Sequence, residues 1–248
     1  MSGHSKWATI KHKKGATDAK RAKVFAKLIR QVEVAAREGG ADPEMNPSLR
    51  TMYQKARDSS VPLDTIEKAI KRATGTMEGV SYEQITYEGY APGGVALLIE
   101  VLTDNRNRSG SDVRTAFSKR GGSLAEPGAV AWQFDREGTL VVDGAADEDE
   151  LMLAAIEAGA TDIAREGDAW RVTTEATDLH AVRTGIEQGG FEVLEGDITM
   201  AAQNLVPLEE VRSARKVLDL IDALEDLDDV QAVFGNFDIS DDVIAQLE

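Results

Sequence analysis

The sequence contains no cysteine among its 248 residues. Disulfides, a thiolate nucleophile and any zinc or iron–sulfur site built on cysteine are therefore excluded. Aromatic residues make up only 5% of the chain. No stretch approaches the roughly 18 to 20 uninterrupted apolar residues that a membrane-spanning helix needs. These absences are typical of a protein in a reducing, aqueous compartment, so we expect a cytoplasmic protein with no membrane partner.

The motifs of the common catalytic and cofactor sites are also missing. The histidines, His4, His12 and His180, form no HExxH pair, and no GxSxG occurs. The glycine-rich segment 87–94 precedes a predicted strand and lacks the lysine of a P-loop. The acidic run 147–150 lacks the calcium-loop pattern and suits the first turn of a helix. We therefore expect no enzyme, metal, cofactor or small-molecule substrate, with a hidden pair of catalytic carboxylates as the alternative.

Positive charge is concentrated at the N-terminal end of a chain whose net charge is -16. By segment, the net charge is +7 for residues 1–80, -1 for 81–134, -13 for 135–204 and -9 for 205–248. The first thirty residues hold nine basic side chains and one acidic one. This asymmetry indicates one part that faces a polyanion and another that is solvated. A mitochondrial presequence is an alternative explanation, although acidic residues interrupt the pattern.

The first sixteen residues predict a basic arm, and an amphipathic helix is predicted from Asp18 to the glycine pair that begins at Gly39. At 100° per residue, one face of this helix carries the apolar stripe Val24, Phe25, Leu28, Ile29, Val32, Ala35 and Ala36. The opposite face carries Lys20, Lys23, Lys27, Arg30 and Arg37. The sequence therefore predicts a cationic ridge opposite a core-facing stripe.

Two further helices follow. Asn46 is a predicted N-cap, and Pro47 begins a helix that runs to about Asp58. Pro62 precedes a third helix, which ends before Gly75. The pattern of the first 80 residues therefore predicts a three-helix domain.

Strands are predicted next, at 85–90, 94–102 and 130–134. The second is a nearly continuous apolar run, typical of a strand buried on both faces. Between the second and third strands, Arg106 and Arg108 are predicted in a polar loop. A helix is then predicted from a capping box formed by Ser109 and Asp112.

From residue 138 the predicted order is strand, helix, strand, strand, helix, strand, which is the ferredoxin-like arrangement. The helices are predicted at about 148–158 and 176–188. After Pro207 the pattern predicts a helix at 208–226, a short strand near 230–238 and a terminal helix from Ser240. These last elements are too few for a separate domain, so we expect them to complete the sheet begun at 85–134.

The predicted fold is therefore α+β and multi-domain. It consists of an N-terminal helical domain (1–80), an α/β second domain (81–134 plus 205–248) and an inserted ferredoxin-like domain (135–204). The second domain is discontinuous because the third interrupts it.

Lysine and arginine neutralise phosphates, whereas tryptophan and histidine offer planes on which unpaired bases stack. The candidate nucleic-acid-binding residues at the N-terminal end are Lys6, Trp7, Lys11, His12, Lys13, Lys14, Lys20, Arg21, Lys23, Lys27 and Arg30. Arg106 and Arg108 are added because they follow a buried strand where it leads into a helix, a usual place for sites on α/β sheets. The alternative for this arginine pair is an internal ion pair with Asp104 or Asp112.

The chain opens with MSGHSKWATIKHKKGATDAKRAKVFAKLIR and continues with GGADPEMNPSLR, YEGYAPGGVALLIEVLTDNRNR, DVRTAFSKRGGSLAEPGAVAW and DDVQAVFGNFDIS. These motifs resemble the YebC/PmpR family, which is related to the mitochondrial translational activator of cytochrome c oxidase. The resemblance covers essentially the whole chain. Two departures are Ala91, where the family usually has glycine, and Ser109-Gly110-Ser111, which replaces a more threonine-led segment.

The resemblance implies three domains, the third inserted into the second, with no cofactor and no enzymatic activity. It also implies one of two roles. Family members are described as DNA-binding transcriptional regulators and as ribosome-associated factors that support translation, notably through proline-rich stretches. By motif, Gly3 to Lys14 and the first-helix basic residues match the N-terminal signature, and Arg106 and Arg108 match the segment TDNRNR.

Between the two roles, the residue types favour RNA. Proteins that read duplex DNA usually present Asn, Gln or Arg to base edges, whereas lysines carry little base information. A flexible arm with lysine, histidine and tryptophan suits folded RNA. We therefore predict a non-enzymatic nucleic-acid-binding regulator of gene expression that engages the ribosome, with ribosomal RNA or tRNA as its partner. Duplex DNA and transcriptional regulation are the alternative, and an acidic protein–protein adaptor is a further one.

Overall fold

A computed structural model describes residues 18–75 and 81–247, without the side chains of Asp18, Ala19 and Asp241. The chain divides into two compact units. The described residues of the first unit are 18–23, 81–135 and 201–247, and those of the second are 24–75 and 136–200. The predicted three-domain boundaries stay a prediction.

The helices in chain order are α1 (Asp18–Gly39), α2 (Pro47–Asp58), α3 (Leu63–Thr74), α4 (Arg106–Lys119), α5 (Glu148–Ala158), α6 (Leu179–Gln188), α7 (Val211–Glu225) and α8 (Asp241–Leu247). The strands are β1 (Glu83–Tyr90), β2 (Ala96–Thr103), β3 (Ser123–Leu124), β4 (Phe134–Asp143), β5 (Asp162–Glu166), β6 (Ala169–Glu175), β7 (Val193–Ala202), β8 (Val206–Leu208), β9 (Val230–Gly235) and β10 (Phe237–Ile239). A 3-10 helix covers Ala131–Gln133. The α+β class predicted from the sequence is confirmed.

The boundary between α1 and α2 is fixed by one buried side chain. Asn46 Oδ1 accepts a hydrogen bond from Leu49 N at 3.0 Å, which caps the start of α2. Asn46 Nδ2 donates to the carbonyls of Ala35 and Gly40 at the end of α1, at 2.8 and 2.9 Å. Pro47 begins α2, as its lack of an amide donor favours. The predicted positions of these helices are therefore confirmed.

The first unit is built on a four-stranded sheet of order β3-β1-β2-β9. β2 pairs antiparallel with both β1 and β9, and nearly all of its residues are buried, as the apolar run predicted. Because β9 lies beside β2, the C-terminal segment completes the sheet begun at β1, which confirms that expectation. The strands β8 and β10 form a separate two-stranded parallel sheet. The predicted short strand near 230–238 is thus two strands in different sheets.

The second unit contains the predicted βαββαβ arrangement, formed by β4, α5, β5, β6, α6 and β7. The sheet order is β5-β6-β4-β7, in which β6 pairs antiparallel with both β5 and β4. Its helices α5 and α6 contribute Leu151, Ala155, Val182 and Ile186 to a core with Leu140 and Val172 of the sheet. This is the ferredoxin-like fold, inserted between β3 and β8 of the first unit.

Two local predictions are wrong. Residues 130–134 were expected to form a strand, but only Phe134 belongs to one, since Ala131–Gln133 is a 3-10 helix. The helix predicted after this polar loop is present as α4, but its predicted start at Ser109 and the loop at Arg106 and Arg108 are wrong, because α4 begins at Arg106 with Asn105 as its N-cap. The Asn105 side chain accepts a hydrogen bond from Arg108 N at 3.1 Å, so both arginines lie in the first turn of the helix.

Candidate nucleic-acid interface

Six of the candidate residues belong to the N-terminal arm. They are Lys6, Trp7, Lys11, His12, Lys13 and Lys14, and they lie outside the described residues. The described part of the candidate interface therefore begins with α1.

The outer face of α1 carries cations at its exposed N-terminal end. Lys20 and Lys23 on this face are exposed, while Lys27 and Arg30 are half-buried. Arg21, which is also exposed, lies on the side of the apolar stripe, before the stripe begins. Lys23 Nζ donates to the carbonyl of Asp226 at 3.1 Å, and Arg21, Lys27 and Arg30 also have interaction partners. The helix thus gathers five candidate cations within eleven positions, and four of them already have partners in the protein.

The opposite face of α1 packs into the helical core, largely as predicted. Leu28, Val32, Ala35 and Ala36 are buried, and Phe25 and Ile29 pack against them. Val24 is the exception, with 47% of its surface exposed. It was assigned to the core stripe by its angle on the helix, but it lies N-terminal to the part of α1 that the other helices cover.

The acidic residue Glu33 in the middle of α1 has a cationic partner. Arg72 Nε on α3 donates to Glu33 Oε1 at 2.8 Å, and the Glu33 side chain is only 17% exposed. Because opposite charges at this distance offset each other, Glu33 subtracts little from the positive potential of the outer face.

Arg108 is held by two carboxylates at the protein surface, where 48% of its side chain stays exposed. Its Nη2 atom donates to Asp104 Oδ1 at 2.8 Å and to Asp229 Oδ2 at 2.6 Å. The Asp229 side chain is 12% exposed, and its Oδ2 also accepts from Ser109 Oγ at 2.6 Å and Thr103 Oγ1 at 3.0 Å. The cluster joins the end of β2, the start of α4 and the loop before β9. Its geometry favours the internal ion pair for Arg108.

Charge complementarity shifts the pKa of both partners. The hydrogen bond to Asp229, followed by the one to Asp104, raises the pKa of Arg108. Burial raises the pKa of Asp229, but hydrogen bonds from Arg108, Ser109 and Thr103 outweigh burial and lower it. The pair is therefore fully charged at neutral pH, and Arg108 is committed to it.

Arg106 differs from Arg108 although both lie in the first turn of α4. The Arg106 side chain is exposed, and the carbonyl of this residue accepts a hydrogen bond from Tyr87 Oη at 3.4 Å. Within residues 18–75 and 81–247 its guanidinium has no ion-pair partner. The structure therefore separates the two predicted arginines: Arg106 is available to an anion, and Arg108 is engaged.

The sequence patterns did not predict one feature of this region, a buried carboxylate that organises the loop before β4. Glu88 is 6% exposed. Its two oxygens accept from the backbone amides of Gly128, Val130 and Ala131 at 2.6, 2.6 and 2.8 Å. Burial raises the pKa of Glu88, but these three hydrogen bonds lower it further than burial raises it, so the carboxylate is ionised. This loop carries Trp132, and the only sequence signal for it was the Pro127-Gly128 turn that precedes the tryptophan.

The acidic run at the start of α5 behaves as a helix start. Asp147 is the N-cap, and its Oδ1 accepts from the amides of Asp149 and Glu150, both at 3.1 Å. In the part of the chain that the structure describes, no group of three or more His, Asp or Glu side chains could hold a metal ion. Within the same part, no helix is long and apolar enough to cross a membrane.

Family models match most of the chain. The model described as "TACO1/YebC protein N-terminal domain" matches residues 5–76, and "TACO1/YebC second and third domain" matches residues 82–237. A relative from Rubrobacter xylanophilus is 56% identical over 249 residues, which cover 100% of this chain and 99% of the relative. One from Beutenbergia cavernae is 55% identical over 254 residues, with the same coverage of 100% and 99%. Both are named "Probable transcriptional regulatory protein".

A solved structure agrees with these matches. The crystal structure of a conserved hypothetical protein from Aquifex aeolicus aligns with a TM-score of 0.82 at 42% identity. The alignment covers 90% of this chain and 93% of that one. Sequence and fold therefore agree along nearly the whole length, and the chain belongs to the TACO1/YebC family.

Proposed function

We propose that this protein regulates gene expression by binding nucleic acid through its basic arm and the outer face of α1, and that its target is RNA of the ribosome. The observation that carries this proposal is the segregation of charge: nine basic residues against one acidic residue in the first thirty, within a chain of net charge -16. Phosphate contacts supply most of the affinity of such surfaces. The exposure of Lys20, Arg21 and Lys23 on α1 supports it.

The geometry of α1 favours RNA over a base-specific contact with duplex DNA. A recognition helix needs one face free to enter the major groove, with side chains suited to base edges. On α1 the apolar face is occupied by the helical core, and the remaining face carries mainly lysine and arginine. Such a face binds phosphates irrespective of sequence, which suits ribosomal RNA or tRNA, and supports a role in translation such as passage through proline-rich stretches.

The second candidate function is that of a DNA-binding transcriptional regulator. The observation in its favour is the name of the relatives, which calls them transcriptional regulatory proteins. Neither role requires catalysis, and the relatives are named as regulators instead of enzymes. The proposal therefore includes no enzymatic activity, a cytoplasmic location, and three domains at 1–80, 81–134 with 205–248, and 135–204.

Co-sedimentation with ribosomes tests the proposal. Replacing Lys11, Lys13 and Lys14 by Glu should abolish co-sedimentation while the thermal unfolding midpoint stays the same. A matched control makes the same change in charge on α7, where Arg212, Arg215 and Lys216 are exposed; replacing these three by Glu should leave co-sedimentation in place.

Two results would contradict ribosome binding. A sequence preference for duplex DNA that survives competitor DNA at physiological salt would favour the transcriptional role. If the protein still regulates gene expression fully after deletion of residues 1–16, an adaptor that works through its acidic faces would be favoured.

A further inference from the structure

Trp132 stands out on the surface of the first unit. It exposes 65% of its surface, although apolar burial normally drives tryptophan into a core or an interface. Among the described residues of this unit it is the one large hydrophobic side chain that is exposed. A patch that docks another protein needs several neighbouring apolar side chains, so an isolated indole points to a ligand that uses a single flat surface.

The polar edge of the indole is already satisfied. Trp132 Nε1 donates to the carbonyl of Ala129 at 3.1 Å, and Tyr90 Oη donates to the same carbonyl at 3.3 Å. The ring therefore offers its faces without an unpaired donor. A ligand can stack on the ring without breaking the hydrogen bond that Nε1 donates. A ligand that needs a hydrogen bond from the indole would have to break it.

The backbone under Trp132 is fixed on both sides. Before it, the three amides of the loop are bound by the buried Glu88 carboxylate. After it, Gln133 O accepts from Gln203 N at 2.8 Å, and the Gln133 side chain accepts from Asn236 Nδ2 at 3.0 Å. Because this backbone is already ordered, it loses little conformational entropy when a ligand stacks on Trp132. A rigid aromatic residue therefore contributes more of its contact energy to binding.

The neighbouring loops leave room for a chain to approach. β3 pairs with Gly89 and Tyr90, so the residues just before β3 lie at the same end of the sheet as the 91–95 turn and the Trp132 loop. Glycines with positive φ at this end are Gly93, Gly94, Gly121 and Gly128, with φ of 85°, 79°, 76° and 89°. No atom lies within 4 Å of the position of a side chain at Gly93, Gly94 or Gly128. Such bare backbone permits close approach of a ligand.

Two cationic side chains lie at the same end of this sheet. Lys119 and Arg120 close α4 immediately before Gly121, and both are exposed. Neither forms an ion pair with a described residue. They supply the positive charge that a nucleic-acid backbone requires beside a stacked base.

We propose that Trp132 is a stacking platform for an unpaired base of RNA, with Lys119 and Arg120 on the adjoining phosphates. This rests on the proposed function, and adds to the basic N-terminal surface a second contact in the first unit. Unpaired bases stack on aromatic side chains with little regard to sequence. The site would therefore select single-stranded or looped RNA over a regular duplex.

Affinities are measured on the full chain, which is the parent, and quenching is measured on its Trp7→Phe variant. In that variant the fluorescence comes from Trp132 and from Trp170, which is 4% exposed. A single-stranded RNA of about 12 nucleotides, within the site sizes of such proteins, should quench the exposed indole. An abasic oligomer of the same length should bind through its phosphates without quenching. Trp132→Ala should weaken binding of the RNA about 5- to 100-fold and leave the affinity for the abasic oligomer unchanged, and Trp132→Phe should restore most of the loss.

Ile156→Ala is the matched control, because Ile156 is 62% exposed in the other unit; it should bind RNA like the parent chain. The stacking proposal would be overturned if Trp132→Ala bound RNA as tightly as the parent chain and RNA did not quench the indole. If the variant with Glu at Lys11, Lys13 and Lys14 still lost binding, the proposed function would stand without it. If the parent chain binds neither oligomer, the proposed function and the platform both fail. Quenching by a proline-rich peptide but not by RNA would assign the indole to a protein ligand instead.

Discussion

Arg183 Nη1 donates to Asp58 Oδ2 at 2.6 Å although the two residues lie 125 positions apart. Arg183 Nη2 donates to Asp58 Oδ1 at 3.0 Å, which makes the pair bidentate, and the side chains are only 9% and 6% exposed. Arg183 Nε also donates to Glu187 Oε1 at 2.9 Å. Within the second unit this contact joins the end of α2 to α6 of the inserted ferredoxin-like fold. A second pair, Lys55 with Asp197 at 2.6 Å, joins α2 to β7 of the same fold.

Arg183→Ala should strongly destabilise the second unit. The substitution leaves the Asp58 carboxylate buried without its partner, and breaking one side of a buried pair costs about 3 to 5 kcal/mol. Urea unfolding followed by circular dichroism measures the change. Arg183→Met with Asp58→Leu removes both buried charges together, and it should recover most of the loss because no buried ion is left unpaired. Glu187 also loses its partner, but its side chain is 47% exposed and stays hydrated.

The control for this prediction is Lys68→Ala, which breaks the pair of Lys68 with Asp64 on α3. Both side chains of that pair are well exposed, at 74% and 68%, and exposed pairs contribute little. Its unfolding curve should overlay that of the parent. A loss for Arg183→Ala no greater than that of this control would show that the buried pair does not hold the two segments together.

Glu88→Gln should loosen the loop that carries Trp132. A glutamine amide offers one acceptor oxygen in place of two, and its NH2 group would face backbone amides that need an acceptor. The unsatisfied groups cost about 1 to 3 kcal/mol. Hydrogen exchange should then speed up at Gly128, Val130 and Ala131. Glu126→Gln, an exposed substitution in the same loop, should leave exchange at these amides as it is; equal protection in both variants would contradict the role assigned to Glu88.

Stability should fall as the pH drops below about 4.5, the ordinary pKa of a glutamate. The folded-state pKa of Glu88 is lowered, so its contribution is complete above the unfolded-state pKa and is lost as the pH falls through the folded-state value. The same sign holds for Asp229, whose pKa is lowered from 3.8. Thermal unfolding midpoints between neutral pH and pH 3 measure the effect. Glu88→Gln should show a shallower decline than the parent, and parallel curves would contradict the assignment.

Capping residues explain why the helix positions could be predicted from the sequence. A cap binds amides only two or three residues later in the chain, so its signal is local. This holds for Asn46 before Pro47 and for Asp147 before the acidic residues that follow it. The apolar run of β2 likewise identified a central strand. The inserted ferredoxin-like fold followed from the order of its elements.

Contacts between distant residues could not be predicted. Ser109 looked like a helix cap, yet its hydroxyl is bonded to Asp229, 120 positions away, and the helix begins at Arg106 instead. Residues 131–133 were assigned to a strand, but Glu88, about 40 positions earlier, binds the amides at 130 and 131 and holds this segment in a 3-10 turn. For the same reason, sequence patterns could not tell an engaged Arg108 from a free Arg106.

That last pair gives a direct test, since Arg106 and Arg108 lie two residues apart in one helical turn. Arg106→Ala should leave the unfolding curve unchanged and weaken RNA binding a few-fold, with the slope of log affinity against log salt reduced by about 1. Arg108→Ala should do the reverse: Asp229 loses its cation, so the urea midpoint falls, while RNA affinity stays at the parent value once the fraction folded is taken into account. Loss of RNA affinity in a fully folded Arg108→Ala would mean that its guanidinium leaves the carboxylates to bind phosphate. Because the pair with Asp229 is short and that carboxylate is nearly buried, we expect the guanidinium to stay.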